Sequence, residues 1–200
     1  MSCEEPSAFP LCVFYASSCY ESFNVSTNDM TSPTTKPAAE GAVLFPGSFD
    51  PFTIGHADLV RRALHLFGHV VIAVGVNAQK GGWMTADQRV SALEALYEDE
   101  PRVSVMRYSG LTVDCARHVG ATAILRGVRS VKDYDYEQQM ADVNRRLSGI
   151  DTVLLVADPT LAAVSSSLVR ELAHFGHDVS PYLPEGYTPV GDAKSPSCGE

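Results

Sequence analysis

The stretch PGSFDPFTIGH, residues 46–56, decides the fold because it joins a short apolar strand, residues 42–45, to a helix with one apolar face. Gly47 lets the backbone approach a ligand closely, and Ser48 offers a hydroxyl and an amide to an anion. His56 lies at the start of the helix, where free N–H groups and the helix dipole favour phosphate. On these residues alone, the stretch predicts either an anion-binding loop or a tight strand-to-helix turn with a capping histidine.

Outward from this stretch, apolar strands alternate with amphipathic helices. Residues 70–76 are almost all apolar, which suits a strand buried on both faces of a parallel sheet. Thr85 and Gln88 fit a capping box at the start of a helix. Five strand–helix units in a row predict the α/β class, with a single doubly wound, parallel, five-stranded, Rossmann-like sheet. The other predicted strands are 103–106, 123–125 and 152–156, and the other predicted helices are 57–67, 112–119, 133–147 and 166–175.

The two ends of the chain differ from this pattern. Residues 1–41 are rich in Ser, Thr, Pro and Asn and lack periodicity, so we expect a disordered extension, and Met30 is a plausible alternative start. Residues 42–187 form the predicted domain. Residues 188–200 are predicted to be a polar tail.

Composition narrows the class of protein. The net charge of −9 argues against non-specific nucleic-acid binding, which needs clustered Lys and Arg. No apolar run approaches the roughly 18 residues of a membrane span, and no basic segment precedes the N-terminal apolar run, so neither a membrane partner nor a signal peptide is expected. The five cysteines are odd in number and form no CxxC pair, which favours a reducing, cytoplasmic compartment.

Further candidates for anion binding follow other predicted strands. Lys80 comes after the second strand, and Arg126 and Arg129 flank Gly127 after the fourth, where paired guanidinium groups suit phosphate. The run 165–167 places three serines at a helix start after the fifth strand. The structural alternatives are a solvated lysine, surface ion pairs with Asp133, Asp135 and Glu137, and a serine N-cap.

The whole string, with Thr53-Ile54-Gly55-His56 behind Pro-Gly-Ser-Phe-Asp-Pro, resembles the (T/H)xGH signature of the nucleotidyltransferase superfamily. It is most similar to the bacterial phosphopantetheine adenylyltransferase family, because related cytidylyltransferases and nicotinamide-mononucleotide adenylyltransferases usually have His in place of Thr53. The resemblance extends over residues 42–187. It includes an RGxR segment at 126–129, a D(F/Y)xYE segment at 133–137 and an ISSS segment at 164–167, in which Val164 replaces Ile.

This resemblance implies transfer of the adenylyl group of ATP to 4′-phosphopantetheine, giving dephospho-coenzyme A and pyrophosphate. It implies Mg²⁺ bound with ATP, held mainly by phosphate oxygens rather than by a protein metal site, and a homo-oligomer, a homohexamer in the family. His56, Lys80 and Arg126 are the implied catalytic residues, and His56, Lys80, Arg126 and Arg129 would supply positive charge. Phosphopantetheine would contact Ser48, Lys80, Thr112 and Arg126, with Leu111 and Asn144 near its arm. ATP would contact Ser48, Phe49, His56, Gly127, Val128, Arg129, Glu137, Leu161, Ala162, Ala163, Val164, Ser165, Ser166 and Ser167.

Two other functions stay open at this point. One is a nucleotidyltransferase that acts on another phosphorylated substrate, such as a mononucleotide or a phospho-alcohol. The other is a non-catalytic regulator that binds adenine nucleotides on the same fold. Thr53 and the RGxR segment argue against the first, and Ser48, His56, Lys80 and Arg126 argue against the second.

Overall fold

The computed structural model describes residues 39–76 and 82–189 of the 200-residue chain. Strands and helices alternate throughout these ranges. The strands are β1 (Ala39–Gly47), β2 (Phe67–Gly75), β3 (Val103–Tyr108), β4 (Ala121–Val128) and β5 (Asp151–Val156). The helices are α1 (Ile54–Ala63), α2 (Ala86–Leu96), α3 (Thr112–His118), α4 (Val131–Ser148) and α5 (Ser166–His174), followed by a 3₁₀ turn at Ser180–Tyr182.

The strand order explains where a ligand can bind. The five strands are all parallel in the order β3-β2-β1-β4-β5, which confirms the predicted doubly wound sheet. The chain moves outward from β1 to β3 and then returns to the other side of β1. The connections that leave β1 and β4 therefore diverge and open a crevice at the carboxyl ends of these two strands.

Alternate residues of the central strands pack into two cores, one on each face of the sheet. Val43 and Phe45 of β1 and Ile72 of β2 belong to the larger core, which also contains residues of α1 and α2. Leu44 faces the other way, into a smaller core with Val113 of α3. Burial on both faces explains why the central strands read as nearly continuous apolar runs.

Helix ends follow the predicted local chemistry at two positions. Thr85 and Gln88 form the predicted capping box, since Gln88 N donates to Thr85 Oγ1 and Thr85 N donates to Gln88 Oε1. Gly176, which directly follows the last predicted helix at 166–175, has φ +74° just beyond α5. The N–H of Gly176 donates to the carbonyl of Ala173, and that of His177 donates to Leu172, so a Schellman motif closes the helix.

Several predicted boundaries are wrong. The first helix begins at Ile54 rather than residue 57, because Thr53 caps it directly, and it ends at Ala63. Phe67, placed in that helix, is the first residue of β2, since an apolar residue at this spacing satisfies either a helix face or a buried strand. The fourth strand was predicted to end at residue 125, yet it continues to Val128, so Arg126 and Gly127 lie within β4.

The predicted extension and tail lie mostly outside the described residues, namely in 1–38 and 190–200. Residues 39–41, which we had placed in the extension, are the first residues of β1. Within the described ranges, no helix combines the length and the apolar character needed to cross a membrane.

Candidate active site

A cavity of about 360 Å³ opens at the carboxyl ends of β1 and β4, in the crevice where the connections from these strands diverge. Its walls come from the loop between β1 and α1, the end of β4, the first turns of α4 and the start of α5. The sequence candidates that line it are Ser48, Phe49, His56, Arg126, Gly127, Arg129, Glu137, Leu161, Val164, Ser165, Ser166 and Ser167. The fold thus gathers residues that are up to 119 positions apart (48 to 167) around one space.

His56 is fixed at the third position of α1 by its own helix cap. The backbone N–H of Thr53 donates to Nδ1 of His56 at 3.0 Å, and Thr53 Oγ1 lies 2.9 Å from the same atom. Nδ1 therefore acts as an acceptor, which assigns the proton of the neutral ring to Nε2. The ring lies among aromatic side chains, with its centroid 5.3 Å from those of Phe49 and Phe52.

This setting changes the electrostatic role expected of His56. Burial and, to a smaller extent, the positive charges of Arg129 and Arg126 together lower its pKa from 6.5 to about 4. The expectation that His56 supplies positive charge is therefore wrong for the ligand-free protein. A neutral imidazole with its proton on Nε2 contributes a hydrogen-bond donor instead.

The loop between β1 and α1 is held by side chains from distant elements. The carbonyl of Ser48 accepts from Arg89, and that of Asp50 accepts from Arg170. Pro51 O accepts from Ser166 Oγ at 2.8 Å. Phe49 has φ +49° and is 2% exposed, so the loop combines a left-handed residue with a buried ring. These bonds fix the backbone around Ser48 before any ligand arrives.

Gly47 has a packing role that the sequence did not predict. A Cβ atom at this position would lie 2.7 Å from Cζ of Phe49. The space beside Gly47 is therefore taken by a side chain of the same loop, which is enough to require glycine here. Gly47 also lines the larger cavity, and close approach of a ligand to its backbone stays a prediction.

Arg126 and Glu137 form a two-pronged ion pair at the cavity wall. Nε and Nη2 of Arg126 donate to the two carboxylate oxygens of Glu137 at 2.7 and 2.6 Å, while Nη1 donates to the carbonyl of Pro46 at 2.7 Å. Glu137 is 7% exposed. Burial acts to lower the pKa of Arg126, but the hydrogen bonds and the charge of Glu137 outweigh it and raise the pKa, so the guanidinium stays charged.

Arg129, the second arginine of the RGxR segment, is more exposed. Its Nε donates to Asp133 Oδ2 at 3.1 Å, one turn into α4. Of the three acidic residues named as ion-pair partners, Asp133 and Glu137 are thus paired, whereas Asp135 forms no ion pair among the described residues. Arg126 and Arg129 also line the larger cavity, so forming an ion pair and contacting a substrate are compatible roles for these arginines.

A second cavity, of about 130 Å³, adjoins the first. It shares Pro46, Arg126 and Glu137 with the larger cavity, and its other walls are Thr112, Ile124, Tyr136, Met140, Ala141, Asn144 and Thr152. Thr112 and Asn144, predicted to lie near the second substrate, are therefore here. Oγ1 of Thr152 is buried and has no hydrogen-bond partner among the described residues.

The three serines at the start of α5 all have partners within the protein. Ser165 Oγ accepts from Leu168 N and caps the helix, as the structural alternative predicts. Ser166 Oγ donates its proton to Pro51 O, and Ser167 Oγ accepts from Arg170. Ser165 and Ser167 keep a hydroxyl proton for an anion, whereas Ser166 would have to release Pro51 first.

Some candidates lie elsewhere. Val128 is buried at the end of β4, and neither it nor Ala162 nor Ala163 is among the residues that line the larger cavity. Lys80 lies outside the described residues.

The sequence reasoning missed three residues that hold the first loop. They are Asp50, Arg89 and Arg170. Asp50 was inside the quoted stretch, and Arg170 follows Ser167 by one helical turn, so both had a positional signal. Arg89 had none, because its role depends on α2 packing beside the ends of β1 and β2.

The acidic side chains of the larger cavity decide how a metal ion could be held. Within residues 39–76 and 82–189, no three His, Cys, Asp or Glu side chains cluster as metal ligands. The carboxylates that line this cavity, Asp133 and Glu137, are both engaged by arginines. This donor set fits a Mg²⁺ ion that arrives on the oxygens of a nucleotide triphosphate.

Comparison with known proteins agrees with this geometry. The family model described as cytidylyltransferase-like matches residues 44–172, which contain the whole sheet after the start of β1. A solved bifunctional NMN adenylyltransferase/ADP ribose pyrophosphatase from Francisella tularensis has the same fold, with a TM-score of 0.55 at 16% identity. The match covers 72% of this chain and 44% of that one. The chain therefore belongs to the cytidylyltransferase-like nucleotidyltransferases.

Curated relatives define the family more narrowly. A phosphopantetheine adenylyltransferase of Porphyromonas gingivalis is 54% identical over 144 residues, covering 72% of this chain and 94% of the relative. Those of Phocaeicola vulgatus and Thermobifida fusca are 51% and 46% identical, covering 95% and 87% of their lengths. The chain belongs to the phosphopantetheine adenylyltransferase family, and the resemblance found in its sequence is confirmed.

Proposed function

We propose that this enzyme transfers the adenylyl group of ATP to 4′-phosphopantetheine, giving dephospho-coenzyme A and pyrophosphate in coenzyme A biosynthesis. The observation that carries this assignment is the position of Arg126. Its guanidinium lies in the wall shared by the two cavities, so it can contact an anion from either side. ATP takes the larger cavity and the phosphopantetheine arm takes the smaller one, and their phosphates meet at Arg126.

The reaction needs no general base from the protein. An oxygen of the phosphopantetheine phosphate attacks the α-phosphorus of ATP, a new P–O bond forms, and the bond to the β-phosphate oxygen breaks to release pyrophosphate. The attacking phosphate has a second pKa near ~6 and is already largely ionised at neutral pH. Catalysis then consists of holding two anions together and stabilising charge at the α-phosphorus.

The residues of the cavity supply these two effects. Nε2–H of His56 is a fixed donor for the charge that develops on the transferred phosphoryl group, because Thr53 holds the ring by its other nitrogen. Arg126 and Arg129 offset the repulsion between the two substrates, and Lys80 has the same role by family resemblance. Mg²⁺ carried by the triphosphate oxygens neutralises further charge when it is bound.

The smaller cavity suits a flexible arm with amide groups. Met140, Ile124 and Tyr136 provide apolar and aromatic contact surface, and the side-chain amide of Asn144 can both donate and accept hydrogen bonds. The unpartnered Oγ1 of Thr152 adds a polar group at the same wall. Such a mixture of apolar walls and few polar groups is typical of a small-molecule site.

The same proposal includes a homo-oligomer, a homohexamer by family resemblance, in the cytoplasm. One face of α4 supports self-association, because large apolar side chains recur along it at helical spacing and remain well exposed, two of them beside the smaller cavity. They are Tyr136 (60% exposed), Met140 (38%), Val143 (47%) and Leu147 (53%). Light scattering coupled to size-exclusion chromatography tests this state, and a monomer at micromolar concentration would refute it.

A pyrophosphate-release assay tests the function. We expect release with ATP and 4′-phosphopantetheine, and none with ATP alone. Nicotinamide mononucleotide and phosphocholine serve as competing phosphorylated substrates. Faster turnover with either would assign a different acceptor, while ATP binding without pyrophosphate release from any acceptor would favour a regulator.

A further inference from the structure

Arg89 is a buried cation that forms no ion pair among the described residues. The residue, on α2, is 9% exposed. Among the described residues, no carboxylate lies within ion-pair distance of its guanidinium. Buried arginines are normally paired, because an unpaired charge loses its hydration without compensation. The groups that the Arg89 guanidinium contacts instead of a carboxylate must therefore account for its burial.

The guanidinium instead binds backbone carbonyls. Nη1 donates to the carbonyls of Ser48 and Gly75, the latter at 3.3 Å, and Nε donates to Thr85 O at 3.3 Å. Gly75 is the last residue of β2, and Ser48 directly follows β1. Arg89 thus offsets the partial negative charge of two carbonyl oxygens at the edge of the sheet where an anionic substrate would bind.

The bond to Ser48 also sets the direction of the next peptide group. Ser48 and Phe49 line the larger cavity and Arg89 does not, so the arginine lies behind the loop. The peptide bond between Ser48 and Phe49 is trans, and in a trans peptide the C=O and N–H point in opposite directions. With the carbonyl turned to Arg89, the N–H of Phe49 points away from it. No backbone carbonyl in the described residues accepts from this N–H.

We propose that Arg89 is a positioning residue that holds the Ser48–Phe49 peptide with its N–H presented to a phosphate of the nucleotide. If this peptide turned over, its carbonyl oxygen would face the phosphates and repel them. The left-handed Phe49 supports such a role, since alternation of backbone conformation around successive N–H groups forms anion-binding concavities. The proposal rests on the function proposed above for its kinetic readout, but its binding readout does not.

The test uses Arg89→Met and Arg89→Lys in the full chain, with Arg102→Met as the matched control. Arg102 also donates to a backbone carbonyl, that of Leu64, but it is exposed and lies at the other end of the sheet. Losing one preorganised donor typically costs ~10²–10³ in rate. We expect Arg89→Met to lower kcat/KM for ATP by at least ~10-fold and to leave the KM for phosphopantetheine within about threefold.

The Lys variant separates positioning from general stability. A compact ammonium cannot reproduce the fork that reaches both Ser48 and Gly75, so we expect a smaller but measurable loss in kcat/KM for ATP with little change in Tm. If Arg89→Met does not fold, the Lys variant decides the question. ATP-specific kinetic constants equal to those of Arg102→Met, or equal changes in both KM values, would overturn the proposal.

Calorimetric titration with ATP alone provides the second readout. Weaker ATP binding by Arg89→Lys than by the wild type supports the proposal even if no pyrophosphate is released with phosphopantetheine, in which case only the proposed function fails. Equal ATP affinity in the two proteins overturns the role of Arg89 and leaves the proposed function intact.

Discussion

Replacing His56 with Gln tests the neutral histidine of the active site through protein stability. Glutamine at the third helical position is the usual partner in a capping box, so it can accept from the N–H of Thr53 while removing the titrating ring. The pKa of His56 lies at about 4 in the folded protein, against 6.5 when it is unperturbed. The unfolded chain therefore binds the proton more tightly, and stability falls as pH decreases from above 6.5 towards 4.

The size of the effect follows from these two values. Each pKa unit corresponds to about 1.4 kcal/mol, so the full difference is worth about 3 kcal/mol, of which about 2 kcal/mol is expressed between pH 7 and pH 5. Urea unfolding at both pH values, for the wild type and His56→Gln, measures it. We expect the wild type to lose about 2 kcal/mol more than the variant over this interval.

The control is His174→Gln, the same change at an exposed residue of α5. It corrects for the loss of an imidazole, while the carboxylates titrate equally in all three proteins. A pH dependence in His56→Gln that matches the wild type within about 0.5 kcal/mol would refute the buried, neutral state of His56. The ring would then titrate close to neutral pH, and a protonated His56 would again be available to the reaction.

Three further changes test other parts of the site. Arg126→Ala should raise the KM for phosphopantetheine by about 10-fold or more and the KM for ATP by less, since a charge-assisted hydrogen bond is worth about 1.5–3 kcal/mol. Steady-state kinetics with each substrate varied in turn measure both values, and a larger effect on the KM for ATP would contradict this prediction. Glu137→Ala should lower the free energy of unfolding by about 3 kcal/mol, because it removes one partner of a buried ion pair. Asp133→Ala, which removes a more exposed pair, should lower it by less than about 1 kcal/mol. Equal losses in urea titrations would argue against a buried pair. Deletion of residues 1–29, so that the chain starts at Met30, should leave Tm and specific activity unchanged, and a clear drop in Tm would show that the deleted segment stabilises the domain.

The sheet could be predicted because its signals are local. Val70–Val74 read as buried strand on both faces, and Thr85 with Gln88 marked a helix start, so each element carried its own evidence. The alternation of strands and helices then allowed only a few topologies, because the connection between two parallel strands of a sheet is almost always right-handed. The errors fell at boundaries such as Phe67, where one apolar residue satisfies either period.

The site was predicted only as far as its residues lie in the loops after strands. Ser48 and His56 were found because a strand-to-helix stretch is visible in the sequence. The partners of these residues were not found, because hydrogen bonds such as that from Arg89 to Ser48 join positions 41 residues apart through the fold. The neutral state of His56 was missed in part for the same reason, since Arg126 and Arg129, which help to lower its pKa, lie at least 70 residues away in the sequence.

An acidic protein with a net charge of −9 can still present a positive site, and the carboxyl edge of the sheet shows how. Carbonyl oxygens point outward where parallel strands end, and they would repel a triphosphate. Arginine side chains cover several of them: Arg126 donates to Pro46, Arg89 to Ser48 and Gly75, Arg170 to Asp50, and Arg62 to Val156. Each bond satisfies a backbone acceptor and fixes a cation at the same edge. The positive charge that binds the substrate therefore comes from arginines that also satisfy backbone carbonyls, and it does not depend on the net charge of the protein.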